Sequence, residues 1–138
     1  MENKEKTVGN IIDKQQICYI SSIDKDGFPN TKAMLRPRKR IGIKEIYFST
    51  NTSSQKIISF RNNPKACVYF CDSQFFLGAM LKGNIEVLED QEIKNELWET
   101  GDTTYYSKGK TDPDYCVLKL TVKSGRFYSN FKSEDFEV

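Results

Sequence analysis

Three short runs of strand-forming residues, joined by tight turns, constrain the first half of this chain most. The runs cover residues 17–23, 30–36 and 45–50. The first connection, DKDG at 24–27, ends in a glycine that supplies the positive φ of a hairpin turn. The second connection, PRKRIG at 37–42, is interpreted as another turn. Successive strands separated by such turns predict an antiparallel meander.

The remaining elements are short and alternate with turn signals. We expect helices at 4–16, 53–62 and 90–99, strands at 65–72 and 76–89, a polar loop at 100–114, and a last hairpin of 115–123 with 125–130 that turns at Ser124 and Gly125. Strands dominate and are neighbours in sequence. We therefore infer one domain, 1–138, built as a small antiparallel barrel or a strongly bent sheet with short flanking helices.

The composition excludes several classes of function. The chain has no histidine, which removes Ser-His-Asp and Cys-His catalysis and zinc sites that use His. The formal net charge of +2 is too small to predict nucleic-acid binding. No segment reaches the roughly 18 unbroken apolar residues of a membrane span, and the start, MENKEK, is unlike a signal peptide. We expect a cytoplasmic protein whose chemistry, if it is an enzyme, comes from a cofactor.

The cysteines are interpreted as structural. They are Cys18, Cys67, Cys71 and Cys116, each among apolar neighbours and none in a C-x-x-C motif. Buried free thiols in a reducing compartment explain this pattern better than a disulfide or a metal site. We expect no metal.

The segment YFSTNTSSQK, residues 47–56, leaves a strand through hydroxyl and amide side chains and enters a helix. A helix N-terminus offers unpaired N–H groups and a partial positive charge, so Ser53, Ser54, Gln55 and Lys56 could form a phosphate site. A surface helix capped by Ser53 or a neighbour is the alternative. The residues alone leave both open.

Positive charge is dense in TKAMLRPRKR, residues 31–40. A solvated strand end explains it, nucleic-acid contact is a second interpretation, and an anionic ligand that Lys32 and Arg36 share with the 53–56 helix start is a third.

Aromatic residues cluster in a second region. Trp98, Tyr105 and Tyr106 either pack in a core or interface, or stack on a planar ligand. The carboxylates of DPDY, residues 112–115, are predicted to lie exposed in a turn without a substrate neighbour.

The order of these elements resembles the pyridoxamine 5′-phosphate oxidase-like flavin-binding split barrels, in particular small bacterial members of the general stress type. The resemblance covers roughly residues 8–128. Its most specific part is YFSTNTSSQKIISFRNNPKACVYF, and the tail DPDYCVLKLTVKSGRFYSNFKSEDFEV is similar as well. It implies a mainly β fold, a six-stranded antiparallel split β-barrel with short flanking helices. It also implies a homodimer that holds FMN at the subunit interface.

The resemblance further implies which residues bind the cofactor. In that family the backbone of one strand lies along the flavin ring, a strand end lies near the ring and the phosphate, a turn binds the phosphate, and a later strand reaches the partner subunit's flavin. The matching positions are Lys32, Ala33, Met34, Leu35, Ser49, Thr50, Ser54, Gln55, Lys56 and Met80. Trp98 is added from its residue type, not from the resemblance, as a candidate wall of the site. Lys32 and Gln55 replace the usual arginines, and the Gln usual near Met80 is missing.

These features imply an FMN-dependent oxidoreductase that passes electrons from a reduced nicotinamide to a small acceptor such as a quinone, a nitro compound or oxygen. The absence of histidine disfavours both true pyridoxamine phosphate oxidase activity and His-ligated haem. No protein acid or base is evident, so catalytic residues stay unassigned. The alternative is a flavin-binding sensor, store or stress-linked partner without turnover. A nucleic-acid binder that uses residues 36–40 is a third possibility that the small net charge opposes.

Overall fold

The computed structural model describes residues 3–138 and is built on one eight-stranded antiparallel sheet. The helices are α1 (Lys4–Lys14), α2 (Gln55–Asn62) and α3 (Gln91–Leu97), and the strands are β1 (Ile17–Ile23), β2 (Pro29–Leu35), β3 (Lys39–Ile41), β4 (Glu45–Asn51), β5 (Lys65–Asp72), β6 (Leu77–Leu88), β7 (Tyr115–Ser129) and β8 (Lys132–Glu137). Two short 3-10 turns, Asp102–Thr104 and Gly109–Thr111, lie in the loop before β7. None of the described helices is long and apolar enough to cross a membrane.

The strand order is β2-β1-β5-β6-β7-β4-β3, and β8 pairs with β7. The first predicted hairpin is confirmed, since β1 and β2 pair along their full length. The predicted meander is wrong for the third strand, because β4 pairs with β7 and β3 rather than with β2. β2 is therefore left as an edge of the sheet. This edge is where the site described below lies.

The sheet curls around one main core. Alternate residues of each long strand point inward, as Ile20 on β1, Phe48 on β4 and Leu118 on β7 do, and all three are essentially inaccessible to solvent. α1 and α2 close the core with Val8, Ile11, Ile12, Ile57 and Phe60. The helical spacing of these apolar residues explains why both segments are amphipathic helices.

A second, smaller core lies around β4, β7, α3 and the loop after α3. It contains Tyr47, Leu97, Tyr106, Tyr115 and Val117, with Leu88, Ile93 and Trp98 packed against it. This aromatic cluster fixes the loop that carries residues 98–114 against the sheet. The loop in turn approaches the edge strand β2.

The predicted last hairpin is wrong. β7 runs without a break through Ser124 and Gly125, and the chain reverses at Asn130 and Phe131, whose φ angles of 50° and 61° suit a tight hairpin turn. Gly125 serves close packing instead, because a Cβ there would lie 2.6 Å from the Met80 carbonyl oxygen. Because the two strands of the expected last hairpin form one strand, β7, the seven predicted strands become six, the number that the resemblance implies. β3, within the expected second turn, and β8 bring the described strands to eight.

The four cysteines are free thiols. Cys18 and Cys116 are buried, as expected, whereas Cys67 and Cys71 are only half-buried. Burial raises the pKa of the Cys18 thiol to about 12.

Candidate functional site

The candidate site lies along the outer edge of β2. Within the described chain β2 pairs only with β1, so one row of its N–H and C=O groups has no strand partner. Lys32, Ala33 and Leu35 are exposed, while Met34 turns into the core. The N–H groups of this edge can therefore donate hydrogen bonds to a planar heterocycle laid along it, and the C=O groups can accept them.

A cavity of about 220 Å³ lies beside this edge. It gathers most of the predicted cofactor residues, namely Lys32, Ala33, Met34, Leu35, Ser49, Thr50, Ser54 and Lys56, together with Arg36, Arg38, Asn51, Tyr105 and Tyr106. These residues come from β2, the β2–β3 connection, the end of β4, the start of α2 and the loop after α3. Segments far apart in sequence thus meet at one place.

A second cavity, of about 670 Å³, adjoins the first between α2 and the β1–β2 hairpin. The two share Lys32, Ser54 and Lys56, and Gln55 lines only the larger one. The two lysines and Ser54 therefore stand at the junction. Gln55 faces the part of the larger cavity that Asn30 and Thr31, at the start of β2, also line.

The junction is a cationic site to which no carboxylate of residues 3–138 is paired. Lys56 is half-buried, and its Nζ donates a hydrogen bond to Ser54 Oγ at 3.0 Å. Burial lowers the pKa of Lys56, and the nearby charge of Lys32 acts in the same direction. Neither lysine forms an ion pair within residues 3–138. A bound anion would relieve both the repulsion and the lost hydration.

The start of α2 completes this anion site. Ser54, the neighbour of Ser53, occupies the N-cap position as predicted, but no side chain within residues 3–138 makes the capping hydrogen bond that a capped helix would have. The Ser54 hydroxyl instead contacts Lys56, and the Ser53 N–H donates to Asp114. Within the part of the chain that the structure describes, no side chain accepts a hydrogen bond from the first-turn N–H groups of α2, and only Ile57 N–H bonds back to the Ser54 carbonyl oxygen.

The strand end of β4 offers further polar groups to the smaller cavity. Thr50 is buried, and Ser49 Oγ is buried without a hydrogen-bond partner in the described chain. A buried hydroxyl without a partner is costly, and a ligand with hydrogen-bonding atoms would satisfy it. The donor set of this region fits a phosphorylated, hydrogen-bonding cofactor.

Two predicted residues lie elsewhere. Met80 is on β6, opposite Tyr69 and Arg126, and lines neither cavity. Trp98 packs with its ring centroid 5.5 Å from that of Tyr115, in the second core. Whether either residue touches a cofactor remains a prediction.

Of the two tyrosines, Tyr106 stacks on Tyr115 with centroids 4.6 Å apart, whereas Tyr105 is exposed. Both line the smaller cavity. Tyr106 therefore serves core packing and the cavity wall at once.

The basic run near β3 is largely neutralised. Arg38 forms a bidentate ion pair with Asp102, in which Nη1 lies 2.7 Å from Oδ2 and Nη2 lies 2.9 Å from Oδ1. Lys39 pairs with Glu96, and Arg40 pairs with Asp13. Among the described arginines, Arg36 alone has no carboxylate partner, and it lines the smaller cavity. The ion pairs remove most of the support for a nucleic-acid surface.

The DPDY carboxylates are the functional feature that sequence reasoning missed. Asp112 is buried and Asp114 half-buried, so the prediction that both are exposed is wrong. Asp114 accepts hydrogen bonds from Ser53 N–H and from Asn51 Nδ2. The pairing of β4 with β7 explains this position of Asp114. Asn51 lies opposite Tyr115, so Asp114 lies beside the turn that follows β4.

A family model settles the relationship of the chain to known proteins. The model described as "Pyridoxamine 5′-phosphate oxidase like" matches residues 3–136. The chain belongs to the pyridoxamine 5′-phosphate oxidase-like family. The resemblance drawn from YFSTNTSSQK and the following strands is thereby confirmed. Comparison with curated protein sequences gave no significant match.

Solved structures agree with this assignment. A protein from Clostridium acetobutylicum, described as related to general stress protein 26 of B. subtilis and as of the pyridoxinephosphate oxidase family, is 35% identical. The match covers 100% of this chain and 96% of that one, with a TM-score of 0.91. General stress protein 26 from Bacillus anthracis is 20% identical over 97% and 98% of the two chains, with a TM-score of 0.80. The predicted split-barrel fold class is confirmed, with the strand number corrected.

A more distant match shares the fold alone. It is a protein from Nostoc punctiforme described as pyridoxamine 5′-phosphate oxidase-related and FMN binding. It is 11% identical, with a TM-score of 0.75 over 100% of this chain and 98% of that one.

Proposed function

We propose that this protein binds FMN along the edge of β2 and acts as an FMN-dependent oxidoreductase. The observation that carries the proposal is the junction of Lys32, Ser54 and Lys56, where two cations without acidic partners meet an uncapped helix start beside an unpaired strand edge. A phosphate at the junction and a flavin ring along β2 match these two features. Membership of the family and the FMN-binding description of the Nostoc relative support the same cofactor.

Different groups of the chain would bind the phosphate and the ring of the cofactor. Lys56, Lys32, Ser54 and the first-turn N–H groups of α2 would bind the phosphate. Free backbone groups of β2, with Ser49 and Thr50, would hydrogen-bond the ring and exclude water from its edge. Bound FMN would supply hydride and electron transfer between a reduced nicotinamide and a small acceptor. We assign no protein acid or base.

A homodimer would complete the site. The cavity at the β2 edge, about 220 Å³, is smaller than the 300 Å³ or more typical of ligand pockets. Ile17, Tyr19 and Leu35, at the paired ends of β1 and β2, are each about half exposed although apolar. A second copy of the chain would cover them and supply the missing wall.

Flavin binding without turnover is the second candidate. It is favoured by Gln55, which carries no charge and lines only the larger cavity. Haem is less well supported, although a structural neighbour from Mycobacterium smegmatis is described as haem binding, because this chain has no histidine to ligate iron.

The test of flavin binding compares FMN with riboflavin, which lacks the phosphate. Flavin fluorescence titration of the wild type should show a clear preference for FMN. Lys56→Glu should weaken FMN binding by about 100-fold, because a charge-assisted contact is lost and a repulsive one is gained. The matched control is Lys132→Glu on β8, an exposed lysine that lines neither cavity. Equal FMN affinity in the two variants would remove the phosphate assignment.

A second experiment separates the two candidates. NADH or NADPH is added to the FMN-loaded protein without air, and flavin absorbance near its visible maximum is followed. Rapid bleaching, then recovery on adding a quinone or oxygen, supports the oxidoreductase. Absent bleaching with both nucleotides supports a binding protein without turnover.

A further inference from the structure

Asp114, a residue that is distant in sequence, accepts three hydrogen bonds from the turn between β4 and α2. Its Oδ1 accepts a hydrogen bond from Ser53 N–H at 2.7 Å, and its Oδ2 accepts one from Asn51 Nδ2 at 2.9 Å. Its backbone carbonyl accepts a third from Thr52 N–H at 2.8 Å. Three consecutive residues that lead into Ser54 are therefore tied to a single aspartate.

Asp114 is itself anchored. Its N–H donates to Asp112 Oδ1 at 2.9 Å, and Asp112 Oδ2 accepts the N–H of Lys108. The Asp112 carbonyl accepts a hydrogen bond from Lys94 Nζ at 3.1 Å, and Lys94 is buried. The network thus connects α3 to the turn. These hydrogen bonds restrict the positions that Ser54 and Lys56 can take.

The location of Asp114 is unexpected for a residue that serves an anion site. The carboxylate lines neither cavity, so it does not touch the ligand space. Hydrogen bonds from Asn51 and Ser53 hold its pKa below the usual value, so it is negatively charged at neutral pH. A negative charge near a phosphate is unfavourable by itself, which means that any benefit must come from geometry.

We propose that Asp114 is a positioning residue for phosphate binding: it fixes the Asn51–Ser54 turn so that Ser54, Lys56 and the α2 N-terminus converge on one anion. The proposal rests on the proposed function, since it concerns the same FMN phosphate. The sequence pattern around Asp114 predicts an exposed turn without a ligand neighbour, so this role follows from the structure alone.

A positioning role and a purely electrostatic role predict opposite changes in FMN affinity when Asp114 is replaced by alanine, so the two can be distinguished. Asp114→Ala removes the side-chain acceptors, so the turn loosens and FMN affinity should fall about tenfold. Asp114→Asn removes the charge but keeps the shape, and a flipped Asn51 amide can restore the second hydrogen bond. This variant should bind FMN within about threefold of the wild type. If charge alone mattered, both variants would bind FMN more tightly.

The experiment measures the dissociation constants of FMN and riboflavin for each variant, with thermal unfolding recorded alongside. The proposal expects Asp114→Ala to lose affinity for FMN while affinity for riboflavin stays unchanged. An equal loss for both ligands would reveal a general structural role and overturn it. Asp26→Ala is the control, because Asp26 lines the larger cavity while its carboxylate accepts no backbone hydrogen bond from any residue that the structure describes. Its FMN affinity should stay level or rise.

Hydrogen exchange on the ligand-free protein gives a second readout. The Ser53 amide should exchange faster in Asp114→Ala and remain protected in Asp114→Asn. If Asp114→Ala does not fold, Asp114→Glu replaces it, since the longer side chain displaces both acceptors and should also lower FMN affinity selectively. Wild-type protein that binds no FMN would end the proposed function and this inference together. Wild-type binding with an unchanged FMN preference in the Ala or Glu variant would overturn this inference alone.

Discussion

The pair between Arg38 and Asp102 should dominate the stability of the loop that carries Tyr105 and Tyr106. The two side chains are only 10% and 5% exposed, and the guanidinium makes contacts of 2.7 and 2.9 Å to the carboxylate. Arg38 Nη1 also donates to the Leu97 carbonyl at 3.1 Å. The pair therefore connects the segment before β3 to the end of α3.

Arg38→Met tests this directly, since it keeps the aliphatic stem and removes the charge. The Asp102 carboxylate would stay buried without its partner, a change that costs about 3–5 kcal/mol in proteins. We take about 3 kcal/mol, because the Glu99 N–H still donates to Asp102. For a chain of 138 residues this corresponds to a fall in Tm of about 10 °C.

The assay is urea and thermal unfolding followed by circular dichroism, with Arg61→Met as the matched control. Arg61 pairs with Glu89 at 3.0 Å, but the two side chains are 51% and 53% exposed. Loss of such a pair costs about 1 kcal/mol at most, or about 3 °C. Equal losses in the two variants, or a loss below 1 kcal/mol for Arg38→Met, would refute the reasoning.

Three further predictions concern other parts of the chain. Gly83→Ala should destabilise the protein severely in urea unfolding, because its Cβ would lie 2.0 Å from the Thr121 carbonyl oxygen, whereas Gly27→Ala, strained only by its φ of +85°, should cost about 1 kcal/mol. Burial alone would raise the pKa of Asp102, but its hydrogen bonds hold that pKa below the usual value. Its contribution to stability is therefore present above about pH 4 and lost below it, which unfolding at pH 7 to 3 will measure. Cys18 should not react with a thiol reagent at pH 8 until the protein unfolds, since burial raises its pKa to about 12.

Local sequence signals predicted the elements better than their partners. The strand at 17–23 and the strand at 65–72 have the expected bounds, because their apolar runs end at clear turn signals. The partner of β4 could not be derived in this way, since its pairing with β7 joins segments about 70 residues apart. Non-local pairing depends on the whole fold rather than on any short pattern.

The clearest error in the predicted fold concerns Gly125. Gly125 carries a turn signal in sequence, yet it lies inside β7, where Met80 and Phe136 leave no room for a Cβ. The chain reverses instead at Asn130 and Phe131, and a phenylalanine with positive φ is rare in such a turn. Close packing and turn formation select the same residue type, so the sequence alone does not separate them.

Much of the candidate site could be predicted because most of its residues lie in two continuous stretches, 32–35 and 49–56. Asp114 could not, since its role depends on hydrogen bonds to backbone across the sheet edge. Trp98 was assigned from residue type alone. Its packing on Tyr115 shows that a large aromatic residue can be explained by a core.

The central claim is that the β2 edge and the Lys32–Lys56 junction hold FMN. The most direct measurement is the visible spectrum of the purified protein, native and denatured, with the released pigment identified by mass. The account predicts a flavin spectrum and FMN as the released molecule, or stoichiometric FMN uptake by colourless protein in titration. A colourless protein that takes up no FMN would contradict it.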